Sequence, residues 1–199
     1  MAYSDFSLRK AKLEFNLTII EQTTFLPDIQ PQQPSAYLAL SLDKHLPLAL
    51  ALNTEKARSE MLICPILLEV KDICSKGISL FSGNEFTVDP SVGLNGVCDF
   101  LISRSSEQLF IEAPAVVIVE AKREDLNGGL GQCVASMVAA QRFNEQNSSP
   151  VKAIYGTVTT GDRWKFLQLE AQIVTIGLSE YTIPPVDQIL GILVSWISG

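Results

Sequence analysis

Two stretches near the middle of the chain are almost empty of polar residues. Residues 97–102, Val-Cys-Asp-Phe-Leu-Ile, carry one charge, Asp99, and the run Val116, Val117, Ile118, Val119 carries none before Glu120 arrives. Runs of β-branched and aliphatic residues predict strands covered on both faces of a sheet. Side chains alternate along a strand, so Glu120 and Lys122 leave the second strand on one side and Ala121 on the other. Ser105-Ser106-Glu107-Gln108 between them reads as a turn. If the strands pair antiparallel, folding the chain near Leu109 sets Asp99 opposite Glu120, with Cβ atoms about 4.5–5.5 Å apart. Two carboxylates so placed suit one hard cation, and Mg²⁺ takes one or two carboxylates while keeping several waters.

The remaining pattern predicts the supporting elements. Residues 4–11 suggest a short helix, and Leu13, Phe15, Leu17 and Ile19 then alternate with polar residues at strand spacing. Pro27, Pro31 and Pro34 make residues 23–34 a loop. Residues 36–52 are rich in leucine and alanine but interrupted by Asp43-Lys44-His45 and Pro47, which fits one helix or two short elements. Thr54 caps a helix whose stripe is Ala57, Met61, Cys64 and Leu68, and Pro65 should kink or divide it. Residues 78–82 and 85–88 flank Gly83-Asn84, a hairpin signal. Gly128-Gly129-x-Gly131 predicts a sharp turn before a helix over 130–145, and its spacing is not that of a phosphate loop. Residues 153–158 and 163–169 read as strands joined at Gly161-Asp162, with 173–176 as an edge strand. Pro184-Pro185 opens a last helix in which Val186, Ile189, Leu190, Leu193, Trp196 and Ile197 form one stripe. That stripe is either core or the face of a homodimer.

Composition narrows the class. A chain of 199 residues with 47% hydrophobic content can bury a full core, which predicts one globular domain: a core at about 53–199 with residues 1–52 packed on it as an extension. The longest amino-terminal apolar run is broken by Glu14, Asn16 and Glu21, so neither a signal peptide nor a membrane span is expected. Cys64, Cys74, Cys98 and Cys133 show no C-x-x-C pair and no histidine cluster, and read as buried thiols in a reducing cytoplasm. The formal charge of −7 argues against nucleic-acid binding, which draws on lysine and arginine. Local basic groups at Arg9-Lys10-x-Lys12, Lys56-x-Arg58, Lys122-Arg123 and Arg163-x-Lys165 are each a solvated face or a phosphate contact.

Asp99, followed after a strand hairpin by Glu120-x-Lys122, resembles the signature of the PD-(D/E)XK nuclease superfamily, which includes restriction endonucleases and RecB-type nucleases. Gln132 on the following helix agrees with it. Thr159-Thr160-Gly161-Asp162-Arg163-Trp164-Lys165-Phe166 is similar to the T-x-G-x-x-W-x-F hairpin of type I restriction-enzyme nuclease domains. Glu60, in an apolar helix, occupies the place of that family's early helical glutamate. The proline expected before the first aspartate is replaced by Cys98. The resemblance implies an α/β (α+β) fold with a restriction endonuclease-like core, a mixed β-sheet flanked by helices.

It also implies a chemistry. Asp99, Glu120 and the carbonyl of Ala121 would bind Mg²⁺ or Mn²⁺, with Glu60 as a further metal or water ligand. Lys122 would position the attacking water, and Gln132 would orient Lys122 or bind a phosphate. The expected reaction is hydrolysis of DNA. Bland readings stand beside each role: an exposed ion pair for Glu120 and Lys122, a solvated helix residue for Glu60, a helix-start polar residue for Gln132. The acidic balance and the missing proline favour a second reading, an inactive nuclease-like scaffold that binds nucleic acid or protein.

Overall fold

Alternation along the central strands divides the apolar residues between two helical layers. In the computed structural model, which describes residues 1–23, 25–26, 29–74 and 77–198, eight strands make one mixed sheet. They are β1 (Thr18–Gln22), β2 (Ser79–Glu85), β3 (Val97–Ser103), β4 (Ala115–Ala121), β5 (Ile154–Thr159), β6 (Arg163–Glu170), β7 (Ile173–Gly177) and the short β8 (Tyr181–Thr182). Their order is β1-β7-β6-β5-β4-β3-β2, with β8 on β6. β4 and β5 run parallel, as do β1 and β7. The helix between β4 and β5 is the long crossover that a parallel pair needs. The helices are α1 (Leu8–Glu14), α2 (Ala36–Leu52), α3 (Glu55–Arg58), α4 (Cys64–Cys74), α5 (Leu126–Gln146) and α6 (Asp187–Ser198).

Leu101, Ile118, Val158 and Leu167 face the layer of α1 and α5, where they meet Cys133, Val134 and Met137. Phe100, Ile102, Val117 and Val119 face the other layer, against Leu62, Leu67, Leu190 and Leu193. The result is the predicted mixed sheet flanked by helices. β3 pairs antiparallel with β4 in the predicted register, Phe100 on Val119 and Leu101 on Ile118.

Several local expectations give way to tertiary contacts. The strand pattern at residues 13–19 is overridden at its start: Ser7 caps α1 through Lys10 N–H at 3.3 Å, and Asn16, at φ 52°, ends it. Strand β1 begins only at Thr18. Residues 36–52 form one helix with Pro47 inside it. Near Pro65, which has no N–H to donate, the chain widens into a π-helical turn at Ser59–Ile63 between α3 and α4. Gly83-Asn84 is not a hairpin turn, because β2 runs straight through it beside β3. The glycines at 128, 129 and 131 lie inside α5 rather than before it, where they permit close contacts: a Cβ on Gly131 would stand 2.2 Å from the Phe6 carbonyl oxygen.

β7 lies between β6 and β1, so the edge strand on that side is β1, with β2 at the other edge. Residues 1–52 therefore supply part of the sheet itself. Within the predicted loop 23–34, residues 24, 27 and 28 lie outside the described residues. The four cysteines are free thiols, Cys98 and Cys133 buried and Cys64 and Cys74 half-buried. The stripe of α6 lies in this chain's own core, with Ile189, Leu190 and Leu193 at 0% exposure, so of its two readings, core and homodimer face, the structure supports core. No helix among the described residues is long and apolar enough to cross a membrane.

Candidate active site

The regular ladder between β3 and β4 stops at Phe100 and Val119. One residue further on, a side chain takes the place of the backbone: Asp99 Oδ2 accepts the Ala121 N–H at 2.8 Å. Asp99 and Leu101 share a face of β3, as Glu120 and Ile118 share a face of β4, so both acids point to the α5 side. β4 is kept extended past its last residue by Lys122 N–H, which donates to the Thr159 carbonyl at 2.8 Å. The Lys122 side chain therefore follows Glu120 onto the same face. Its Nζ lies 2.5 Å from Glu120 Oε1 and donates to Gln132 Oε1 at 3.3 Å. Asp99, Glu120, Lys122 and Gln132 thus meet at one end of the sheet.

Helix α5 reaches this cluster because of a glycine. A Cβ on Gly129 would lie 2.6 Å from Val158 Cγ1 and 3.1 Å from Lys122 Cγ. Asp125 caps the helix through Asn127 N–H at 3.0 Å.

The cluster holds charge where water is scarce. The Glu120 side chain is 2% exposed. Burial first, and the neighbouring Asp99 charge second, push its carboxyl up to about 8 against the opposing pull of Lys122. Burial also raises Asp99, partly countered by the Ala121 N–H and by Lys122. For Lys122 burial acts downward, but Glu120, Glu55 and Asp99 outweigh it and the ammonium is held above its ordinary range.

The helical carboxylate that acts on this cluster is Glu55. It sits in the first turn of α3, fixed there by Thr54, whose Oγ1 accepts the Ala57 N–H at 3.1 Å, and its charge reaches both Glu120 and Lys122. The structure does not bring Glu60 to the cluster. Its side chain is 62% exposed on the π-helical turn and lies 3.8 Å from Lys56. Glu55 is not among the acids the sequence singles out; its one signal there is its place directly after the cap Thr54.

The Thr159 to Phe166 hairpin holds the cluster in place. Thr159 Oγ1 accepts the Gly161 N–H and donates to the Arg163 carbonyl, each at 2.8 Å. Trp164 Nε1 donates to the Gly161 carbonyl at 2.9 Å. Arg58, 7% exposed, spans from α3 to this turn, donating to Asp162 Oδ1 at 2.6 Å and the Thr160 carbonyl at 2.8 Å. Arg163 donates to the Glu124 carbonyl at 2.7 Å, tying down the segment after Lys122. Lys165 is 7% exposed and donates to Asn127 Oδ1 at 3.0 Å. Much of the basic charge near the site is thus spent internally. Lys56 and Arg123 remain open, with side chains 82% and 60% exposed.

Asp99, Glu120 and the Ala121 carbonyl are the groups that could hold a metal. They are hard oxygen donors, suited to Mg²⁺ or Mn²⁺ rather than to zinc or copper. Among the described residues no group of three or more His, Cys, Asp or Glu side chains converges for a metal. With both carboxyls ionised, two negative charges against one ammonium would leave an excess that a divalent cation balances, and the small protein ligand set leaves positions for water. No protein-family model matches the sequence, and no curated protein matches it.

Proposed function

We propose that the protein is a metal-dependent nuclease that hydrolyses DNA phosphodiester bonds through a PD-(D/E)XK-type site. The observation that carries this reading is the convergence of a buried carboxylate, a second carboxylate and an ammonium from neighbouring strand ends: Glu120, Asp99 and Lys122. An exposed ion pair would leave the burial of Glu120 without a reason, since a buried acid is costly unless its charge is used or balanced.

Asp99 and Glu120, with the carbonyl of Ala121, would hold Mg²⁺ or Mn²⁺, which supplies Lewis-acid activation of the phosphate and of a bound water. Asp99 is oriented for this by the Ala121 N–H, leaving Oδ1 free of that bond. Lys122 balances Glu120 and is the group placed to hold the attacking water and to offset charge on the phosphorane. Gln132 limits where the Lys122 ammonium can point. Glu55 adds to the larger pull of Glu120 in favouring the charged form of Lys122.

The test is cleavage of plasmid and single-stranded DNA in Mg²⁺ and in Mn²⁺ by the wild type beside Lys122→Ala and Asp99→Asn. Cleavage by the wild type alone supports the nuclease. Cleavage retained by both variants removes it.

One observation favours the second reading, an inactive scaffold: Lys122 is engaged by Glu120 at 2.5 Å, and the basic groups Arg58, Arg163 and Lys165 are tied up within the fold. DNA binding without cleavage in either metal would select it.

A further inference from the structure

Helix α2 is apolar on two sides. Leu38, Leu42 and Ala49 are buried in the core with Leu62 and Ile66. Tyr37, Leu40 and Leu48 are instead 80%, 54% and 47% exposed, and Lys44 and Ala51 are exposed as well. At 3.6 residues per turn these positions fall within about 80° of one another, centred roughly 140° from the buried stripe. They form a second face rather than the margin of the first. A solvated helix face is ordinarily polar, and contiguous exposed apolar patches mark contact surfaces. The spacing on this face is symmetric: Tyr37 and Ala51 are equally far from Lys44 along the helix, as are Leu40 and Leu48. Asp43 and Lys44 at its centre are exposed, and neither side chain enters an ion pair among the described residues. Adjacent residues on a helix do not face each other, so the two do not satisfy one another.

We propose that a second copy of this chain covers this face, with the two α2 helices antiparallel about a twofold axis at Lys44. Such a contact is isologous, so every pairing occurs twice. Leu40 packs on Leu48 of the other copy, and the large Tyr37 on the small Ala51. Lys44 of each copy lies beside Asp43 of the other, which gives both the opposite charge they lack within the chain. Self-complementary spacing and charge select a second copy over a membrane surface: interfacial helices carry many lysines and arginines, whereas α2 has Lys44 alone, next to Asp43. The contact is separate from the carboxylate and lysine cluster at the end of β4, and it stands or falls independently of any nuclease activity.

One helix pair is a small interface, so sedimentation velocity of the full chain from about 1 to 300 μM should show a monomer–dimer equilibrium with a Kd on the order of 10 μM. Leu40→Glu, at an exposed position, should leave the protein monomeric throughout that range. Asp43→Lys and Lys44→Asp should each weaken the dimer about tenfold or more, and the double variant, which exchanges the two charges, should restore it to within about threefold. The melting temperature of all four variants, measured at about 1 μM where the wild type is monomeric, should match that of the wild type. Under mild oxidation Lys44→Cys, on the axis, should form a disulfide-linked dimer. Tyr37→Cys should not, because the axis sets that residue about 21 Å from its own copy. A wild type that stays monomeric, a dimer that survives Leu40→Glu, a double variant that is not restored, or equal cross-linking of the two cysteine variants would overturn the proposal.

Discussion

Gly129 stands against Lys122 so closely that a methyl group on its Cα would lie 3.1 Å from Lys122 Cγ and 3.2 Å from Cε. A helix interior ordinarily prefers alanine over glycine by about 1 kcal/mol, so the glycine is retained at some cost to α5. Its contacts explain why: the same methyl group would stand 2.6 Å from Val158 Cγ1, so Val158 or the helix must shift, and the Lys122 side chain must give way with it. Gly129→Ala is therefore expected to displace the Lys122 side chain from Glu120. Cleavage should fall by about tenfold or more, the loss that an ångström-scale misplacement produces. The melting temperature should fall by no more than about 8 °C, because overpacking of about 1–3 kcal/mol is offset by about 1 kcal/mol of helix propensity and each remaining kcal/mol is worth about 2–4 °C in a chain of this size. Full activity in a well-folded Gly129→Ala protein would show that the position of Lys122 is not limiting.

The pH dependence of stability isolates Glu120. Its carboxyl is raised from the ordinary 4.5 to about 8 in the fold, so across that interval the folded protein keeps a proton that the unfolded chain releases. Its contribution is fully present below the unfolded value and is lost as pH rises through the folded one. Asp99, also raised, acts in the same direction. The metal-free wild type should therefore lose melting temperature between about pH 5 and pH 9 relative to Glu120→Gln, whose side chain does not titrate. Saturating Mg²⁺ should reverse the trend, since a ligating carboxylate must be deprotonated and binding to the folded state alone is stabilising. Parallel melting curves for the wild type and Glu120→Gln across this range would contradict the burial argument.

Glu55 and Glu60 can be told apart directly. Glu55 raises both Lys122 and Glu120 through its charge, whereas Glu60 faces solvent beside Lys56. Glu55→Gln should lower the ionisation ranges of Lys122 and Glu120, weaken divalent-ion affinity several-fold in calorimetry and shift the pH profile of cleavage to lower pH. Glu60→Gln should leave both readouts unchanged. A larger effect from Glu60 than from Glu55 would reverse the assignment.

The meeting of Asp99 with Glu120 is legible in the sequence because alternation along two apolar strands allows one register that keeps both runs buried. Lys122 follows from the same rule. Glu55 is harder to read, because choosing between it and Glu60 depends on the path of the helix, and the π-helical turn at Ser59–Ile63 lies between α3 and α4. Gly83-Asn84 carries the local chemistry of a hairpin, yet the pairing of β2 with β3 on both sides of it, Ser82 with Phe100 and Asn84 with Cys98, holds the strand straight. The α5 glycines read as a turn locally; their use for close approach to Lys122, Val158 and the chain at Phe6 belongs to tertiary structure. The stripe of α6 looks the same in sequence whether it covers its own core or a partner.

The internal pairing of basic side chains sets the last expectation, the salt dependence of DNA binding. Arg58 and Lys165 are buried and bonded within the fold, and Arg163 is tied to Glu124 and Glu180. Lys56 and Arg123, next in sequence to Glu55 and Lys122, are exposed and only loosely paired, with Glu60 at 3.8 Å and Glu124 at 3.5 Å, which leaves them available to a backbone, with Lys122 a third contact at the reacting phosphate. Each neutralised phosphate contributes about −0.9 to the slope of log K against log salt. Fluorescence anisotropy on duplex DNA without divalent ions should therefore give a slope of about −2 to −3, and weak affinity at physiological salt. Lys56→Gln and Arg123→Gln should each reduce the slope by about one and leave the melting temperature unchanged. Lys165→Gln should instead lower the melting temperature and leave the slope alone, because its ammonium is engaged with Asn127. A steep slope near −6 or beyond would mean that a basic surface far from this cluster, such as Arg9, Lys10 and Lys12 on α1, carries the DNA.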